Sequence, residues 1–272
     1  MSVIPVEYCF MADSVQNGLL QAAQVARDTA VLTSANGVRY AVFGENSLQQ
    51  KDFDRMVQAV PVAIAHALER KTYFFVPLAL SESRGSETTL VATAFSPELG
   101  DQATCHRNVP LDTDSGKGEG VFISTRLLGD RFALAFEFFI NVGHAFVDAA
   151  GVPEEFNQLA WSQAIADVRG ETSQDSWESR NLSLAGNKPS AHIDGKPAID
   201  EKAKTSFLES AFSDAVAIYQ LSLSVDFDYS ELREREYPLL APQALADRLR
   251  LVAKLFPPNP GYEFAIRYRR RA

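Results

Sequence analysis

Apolar residues recur in this chain with two different periods. Between Phe132 and Val142, Phe132, Leu134, Phe136, Phe138, Ile140 and Val142 alternate with Arg131, Ala133, Ala135, Glu137, Phe139 and Asn141. A period of two predicts a half-buried β-strand. The β-rich run Val121–Leu128 precedes it, and Gly129-Asp130 supplies a two-residue turn, so the stretch reads as a hairpin. A second alternation runs from Tyr219 to Tyr229, with Gln220, Ser222, Ser224, Asp226 and Asp228 on the wet face. A third covers Tyr262 to Arg269. Paired side by side, these two strands would set Asp226 and Asp228 near the terminal arginines. Asn36-Gly37 between Thr29–Ser34 and Val38–Phe43 is a strong hairpin signal. Tyr73–Leu80 and Thr88–Phe95 read as two further strands around a polar loop, and Pro77 assigns the first to an edge or a bulge.

Helical spacing marks the intervening segments. Asp13-Ser14 caps a predicted helix to about Arg27. Another runs from about Gln50 to Glu69, with Pro61 predicting either a kink or a division into two shorter helices. Pro153 and Glu154 open a third, carrying Phe156, Leu159, Ala160, Gln163 and Ile165. Two more are predicted over Lys202–Ala217 and Pro242–Phe256, the last ended by the PPNPG run. The stretch from Ser96 to Gly118 shows no periodicity and reads as a long loop. Gly170 to Lys202 is polar and rich in Gly, Pro and Ser, as in a surface crossing. The fold class expected is α+β: a mainly antiparallel sheet built from hairpins, with helices packed on one face. One domain spanning 1–272 is expected. The alternative is a division at the polar segment 170–202 into 1–169 and 203–272.

Composition narrows the functions open to such a fold. The chain has 272 residues, a net charge of -9 and two cysteines, Cys9 and Cys105. The acidic balance argues against nucleic acid and against anionic membrane surfaces as partners. The terminal Arg-Tyr-Arg-Arg-Arg reads as a charged strand face. Two free thiols, with no basic leader ahead of an apolar core, point to the cytoplasm. No metal is expected: His66 has no carboxylate or cysteine at ligand spacing. Gly116-Lys117-Gly118 lacks the rest of a phosphate loop.

The remaining chemistry centres on His144 and Asp148, between the predicted strand and the helix at Pro153. Strand, His-x-x-x-Asp, small-residue turn and helix, written FEFFINV-GHAFVDAAG-VPEEFNQLAWSQAIADV, resembles the HxxxD acyltransferases of the chloramphenicol acetyltransferase, BAHD and trichothecene acetyltransferase type. The likeness covers residues 120 to 184. It implies transfer of an acyl group from a thioester such as acyl-CoA, a co-substrate rather than a bound cofactor, to a hydroxyl or amine on a small molecule. His144 would be the general base, because a neutral imidazole accepts a proton near neutral pH. Asp148 would hold the histidine segment through an arginine such as Arg126 or Arg131. Two other readings stand beside it. One is a non-catalytic α+β binding or assembly module that forms a homo-oligomer through its sheet, with residues such as Phe139 on the outer face. The other is a hydrolase using Cys105, next to His106.

Overall fold

The computed structural model describes residues 18–46, 48–81, 88–113, 116–126, 131–184, 192–193, 196–197, 199–232 and 237–267. Cys9, the Asp13-Ser14 cap, the Gly129-Asp130 turn and residues 268–272 lie outside them. The chain forms two compact units, Met1–Phe138 and Phe139–Ala272. The division falls inside a helix rather than in the polar segment 170–202.

The first unit contains, in chain order, β1 Leu19–Gln21, α1 Ala22–Asp28, β2 Leu32–Thr33, β3 Arg39–Val42, α2 Gln50–Gln58 and α3 Val62–Ala65, which continues as a 3-10 turn His66–Leu68. After these come β4 Lys71–Val76, β5 Leu78–Ser81, β6 Thr89–Ala92, β7 Ala103–Thr104, β8 His106–Thr113 and β9 Gly116–Ser124. They build two sheets, a five-stranded one in the order β2-β3-β4-β9-β8 and a four-stranded one in the order β1-β6-β5-β7. Antiparallel pairing prevails, and only β3–β4 and β4–β9 are parallel. The α+β expectation holds.

β4 is the axis of the first unit. Tyr73, Phe74, Phe75 and Val76 are all at most 1% exposed, so both faces of the strand are covered. Phe75 packs on Phe53 of α2 and on Phe138, with ring centroids 4.8 and 5.6 Å apart. On the opposite face, Phe74 stacks on Phe122 at 4.6 Å, and Ala22 and Val25 of α1 complete that core. Pro77, expected at an edge or bulge, separates β4 from β5. A residue with no N–H ends one ladder and lets the chain enter the other sheet. The Asn36-Gly37 hairpin forms as expected, with Leu32 opposite Tyr40. Its turn is anchored, since the Asn36 side-chain amide donates to Val57 O and Val60 O at 2.9 and 2.7 Å. The stretch 96–118, expected to be a loop, is largely ordered as β7, β8 and the start of β9. Its edge strand β8, His106–Thr113, has apolar residues only at Val109, Pro110 and Leu111 among polar and charged ones, which hides the period.

The largest correction concerns Phe132–Val142. It is not a strand but the first part of α4, Arg131–Ala150, a helix of 20 residues that begins in the first unit and continues into the second. Its buried residues Leu134, Ala135, Phe138, Phe139, Val142, Ala145 and Phe146 recur at helical spacing. Nearly every residue in the run is apolar, so both periods fit it. Its length, well beyond an ordinary strand of about 5–6 residues, was the deciding signal. Phe139, expected on an outer face, is 0% exposed. By length and composition α4 could cross a membrane, but half of its apolar window is buried within the protein.

The second unit is helical. It comprises the rest of α4, α5 Glu154–Ile165, α6 Gln174–Leu184, α7 Glu201–Ser224 and α8 Pro242–Leu255, with a small ladder between β10 His192–Ile193 and β11 Lys196–Pro197. α6 lies where a surface crossing was expected. α7 is the central element: every residue from Ala215 to Leu221 is buried. The strand expected over Tyr219–Tyr229 is therefore the end of this helix and the segment after it. A helix buried all round has no polar stripe from which its period could be read. Phe212 of α7 packs on Phe156 of α5 at 4.8 Å. The strand expected at Tyr262 forms no ladder among the described residues; instead Phe264 lies against Tyr219 at 5.2 Å.

Candidate functional site

Within the second unit, polar groups gather around Asp214 of α7. Thr172 Oγ1 donates to Asp214 Oδ2 at 2.7 Å and Ser176 Oγ to the same oxygen at 3.1 Å. Ser176 belongs to the first turn of α6, and Thr172 lies just ahead of that helix. Ser173 and Ser176 cap that helix reciprocally: Ser176 N donates to Ser173 Oγ at 3.2 Å and Ser173 N to Ser176 Oγ at 3.0 Å. This is the logic of a capping box with serine in place of the usual glutamate. An anionic carboxylate beside the free N–H groups of a helix start is also favoured by the helix dipole. Burial raises the Asp214 pKa above the ordinary carboxylate value, while the hydroxyls of Ser173, Thr172 and Ser176 and the charge of His144 draw it back down.

The segment leading into this cap is held from below by a buried ion network. Glu171, 0% exposed, accepts from Arg248 through both oxygens, at 2.8 and 3.3 Å, and from Arg180 at 3.3 Å. Arg248 is also fully buried, and its Nε donates to Gln163 Oε1 at 2.8 Å. Arg180 donates to the carbonyls of Val168 and Gly170 at 2.7 and 3.0 Å. Tyr237 OH donates to Thr172 O at 3.1 Å. The backbone is correspondingly tight. Gly170 has φ +80, and a Cβ there would lie 2.1 Å from Leu239 O. Asp167 holds a left-handed φ of 53, a conformation that a non-glycine residue keeps only when its surroundings enforce it.

His144 projects from α4 next to Gly143. A Cβ on Gly143 would lie 2.6 Å from Ser213 O, so α4 and α7 touch backbone to backbone there. The residues that follow, His144 and Asp214, flank this contact. His144 is exposed. The strand that delivers the histidine in the acyltransferase likeness is here the middle of a helix. Asp148 stands one turn on, also exposed, with no hydrogen bond or ion pair among the described residues. The arginine partners expected for it are engaged elsewhere. Arg131 pairs with Asp52 at 2.9 Å, and the Arg126 guanidinium lies over Phe95 at 5.3 Å.

The other sequence candidates lie in the first unit. His106 Nδ1 meets Glu137 Oε1 at 2.5 Å. Burial and the Glu137 charge push the neighbouring Cys105 thiol up. A nucleophilic cysteine needs the opposite shift. Among the described residues no cluster of three or more His, Cys, Asp or Glu is arranged to hold a metal ion. Sequence reasoning missed Asp214, Glu171 and Arg248. The signal available was position: Arg248 lies between Leu245, Leu249 and Val252 on the apolar stripe of α8, and Asp214 falls seven residues after the buried Phe207. A charge on an apolar stripe implies a buried partner. Compared with known proteins, the chain matches no protein family, no curated protein and no solved structure.

Proposed function

We propose that this chain is a binding and assembly module that self-associates through its five-stranded sheet. The observation that carries this reading is the consecutive exposed run Ala30-Val31-Leu32 leading into β2, the outermost strand of that sheet among the described residues. Val31 and Leu32 are each 43% exposed. Apolar side chains on an unpaired edge invite a further strand, and such runs are selected against where they serve no contact. The opposite edge, β8, carries Pro110 together with exposed His106 and Asp112, features that discourage pairing. A second copy meeting β2 antiparallel about a two-fold axis would extend the sheet. Sedimentation equilibrium tests this: a dimer is expected, Leu32→Lys should give a monomer, and Asn108→Lys on β8 should leave the dimer intact. A monomeric parent protein at high micromolar concentration would remove the basis of the reading.

A second reading, acyl transfer from a thioester with His144 as general base, is favoured by the exposure of His144. Its class rests on the His144-x-x-x-Asp148 likeness. Thermal-shift measurements with acetyl-, malonyl- and long-chain acyl-CoA test it, because a ligand of the native state raises the melting temperature. No shift with any donor would exclude it.

A further inference from the structure

We infer that two copies of this chain join β2 to β2 in one register, with Leu32 opposite Leu32 of the second copy on the two-fold axis and Val31 opposite Thr33; the inference rests on the self-association reading. The backbone groups decide which residues can bond outward. Ser34 N donates to Val38 O at 2.9 Å, and Leu32 pairs with Tyr40. Bonded and non-bonded pairs alternate along an antiparallel ladder, so Leu32 turns its N–H and C=O inward to β3, and those of Val31 and Thr33 point outward. No backbone partner meets them among the described residues. A ladder centred on Leu32 bonds Val31 of each copy to Thr33 of the other and uses all of these groups. A ladder centred on Val31 would draw in Thr29, whose N–H already donates to Val25 O at 3.0 Å. It would also set Leu32 against Ala30 instead of against a second leucine.

The side chains fit the same register. Successive residues take opposite faces of a strand. Leu32 therefore shares the face of Tyr40, whose hydroxyl meets Asp54 of α2, while Val31 and Thr33 share the other face with Arg39. On the first face two leucines meet at a non-hydrogen-bonded pair, where opposed side chains come closest. On the second, β-branched Val31 and Thr33 pair across the strands. Charge is what admits a second copy here. A two-fold axis sets a charged residue near it against its own like, and residues 29–38 carry no charge. Arg39, the cation at the end of that segment, turns back into its own sheet and donates to the carbonyls of Glu69 and Lys71 at 2.6 and 3.4 Å.

Cysteine cross-linking in a Cys9→Ser, Cys105→Ser background reads the register. Opposed Cα atoms should stand about 4.5 Å apart at Leu32 and about 5.5 Å apart between Val31 and Thr33, within the span of a disulfide. Val31 would lie about 8 Å from its own counterpart, as would Thr33, beyond that span. Oxidation with copper–phenanthroline should therefore link Leu32→Cys into a covalent dimer and leave Val31→Cys and Thr33→Cys unlinked on a non-reducing gel. Mixing the last two variants should restore a link, one chain of each. That mixture decides the register even if Leu32→Cys associates poorly. Self-linkage of Val31→Cys overturns the inference in favour of a Val31 axis. A parent protein that sediments as a dimer while no position links, alone or mixed, overturns the β2 contact. A parent that sediments as a monomer removes the self-association reading itself.

Discussion

Neutralising Glu171 is the most direct probe of what holds the candidate site. Its side chain is 1% exposed and lies between Arg248, at 0%, and Arg180, at 4%. Glu171→Gln keeps the shape but removes the only carboxylate bonded to Arg248 among the described residues. Arg180 is left better off, since it retains two backbone carbonyls below 3.1 Å and Asp167 at 3.6 Å on the solvent side. The penalty therefore falls mainly on Arg248. Breaking a buried pair from one side costs about 3–5 kcal/mol, and the retained amide oxygen places this case near 3 kcal/mol. Urea unfolding followed by tryptophan fluorescence is the suitable assay. Trp161 and Trp177, the protein's two tryptophans, both belong to the second unit, so the signal reports that unit. With a slope of about 2 kcal/mol/M, the midpoint should fall by about 1.5 M. Arg248→Met combined with Glu171→Gln should be less damaging than the sum of the two, by about 1–3 kcal/mol. A loss below about 1 kcal/mol for Glu171→Gln would mean that Arg248 is solvated, and the account of a rigid frame would fail with it.

Three further outcomes are expected. Gly143→Ala gains helix propensity of about 1 kcal/mol, but its methyl group meets Ser213 O at 2.6 Å. Net destabilisation of about 1–2 kcal/mol should follow, and a stabilised variant in thermal melts would show that the two helices can separate freely. For Asp214, burial raises the carboxyl above its ordinary 3.8. Proton uptake by the native state thus contributes stability that is fully present below that value and is lost as pH rises through the native titration. Asp214→Asn lacks this loss, so its stability relative to the parent should climb with pH across that window; a pH-independent difference in denaturation midpoints contradicts this. Cys105, with its thiol pushed up by burial and Glu137, should be alkylated by iodoacetamide more slowly than free cysteine at neutral pH. Glu137→Gln should accelerate the reaction, as followed by peptide mass mapping, and an unchanged rate would assign the effect to access alone.

Local chemistry made part of this fold legible. Asn36-Gly37 predicted a hairpin that forms, Pro61 predicted the break between α2 and α3, and Pro153 and Pro242 marked the entries to α5 and α8. Each acts through its own backbone, so no tertiary knowledge was needed. The failures share a different cause. α4 and α7 are buried so extensively that their solvent-facing residues no longer mark a helical period, and the alternation along part of each mimics a strand. β8 escaped notice because an edge strand with Arg107, Pro110 and Asp112 carries little apolar signal. At the site, His144 was singled out for its spacing to Asp148. Asp214 lies on a helix 70 residues further on, whose backbone meets α4 at the Gly143–Ser213 contact, and no local pattern encodes that approach.

The Glu171–Arg248 pair also ties the site to the order in which the chain is made. The partners are 77 residues apart, and Gln163 waits 85 residues for the same guanidinium. At synthesis rates of about 5–20 residues per second, Glu171 leaves the ribosome about 4–15 s before Arg248. Until Arg248 emerges, Arg180 is the one cation among the described residues that can pair with the Glu171 carboxylate. A nascent chain halted before α8 would therefore carry the site's residues without the Arg248 half of the frame that holds Glu171.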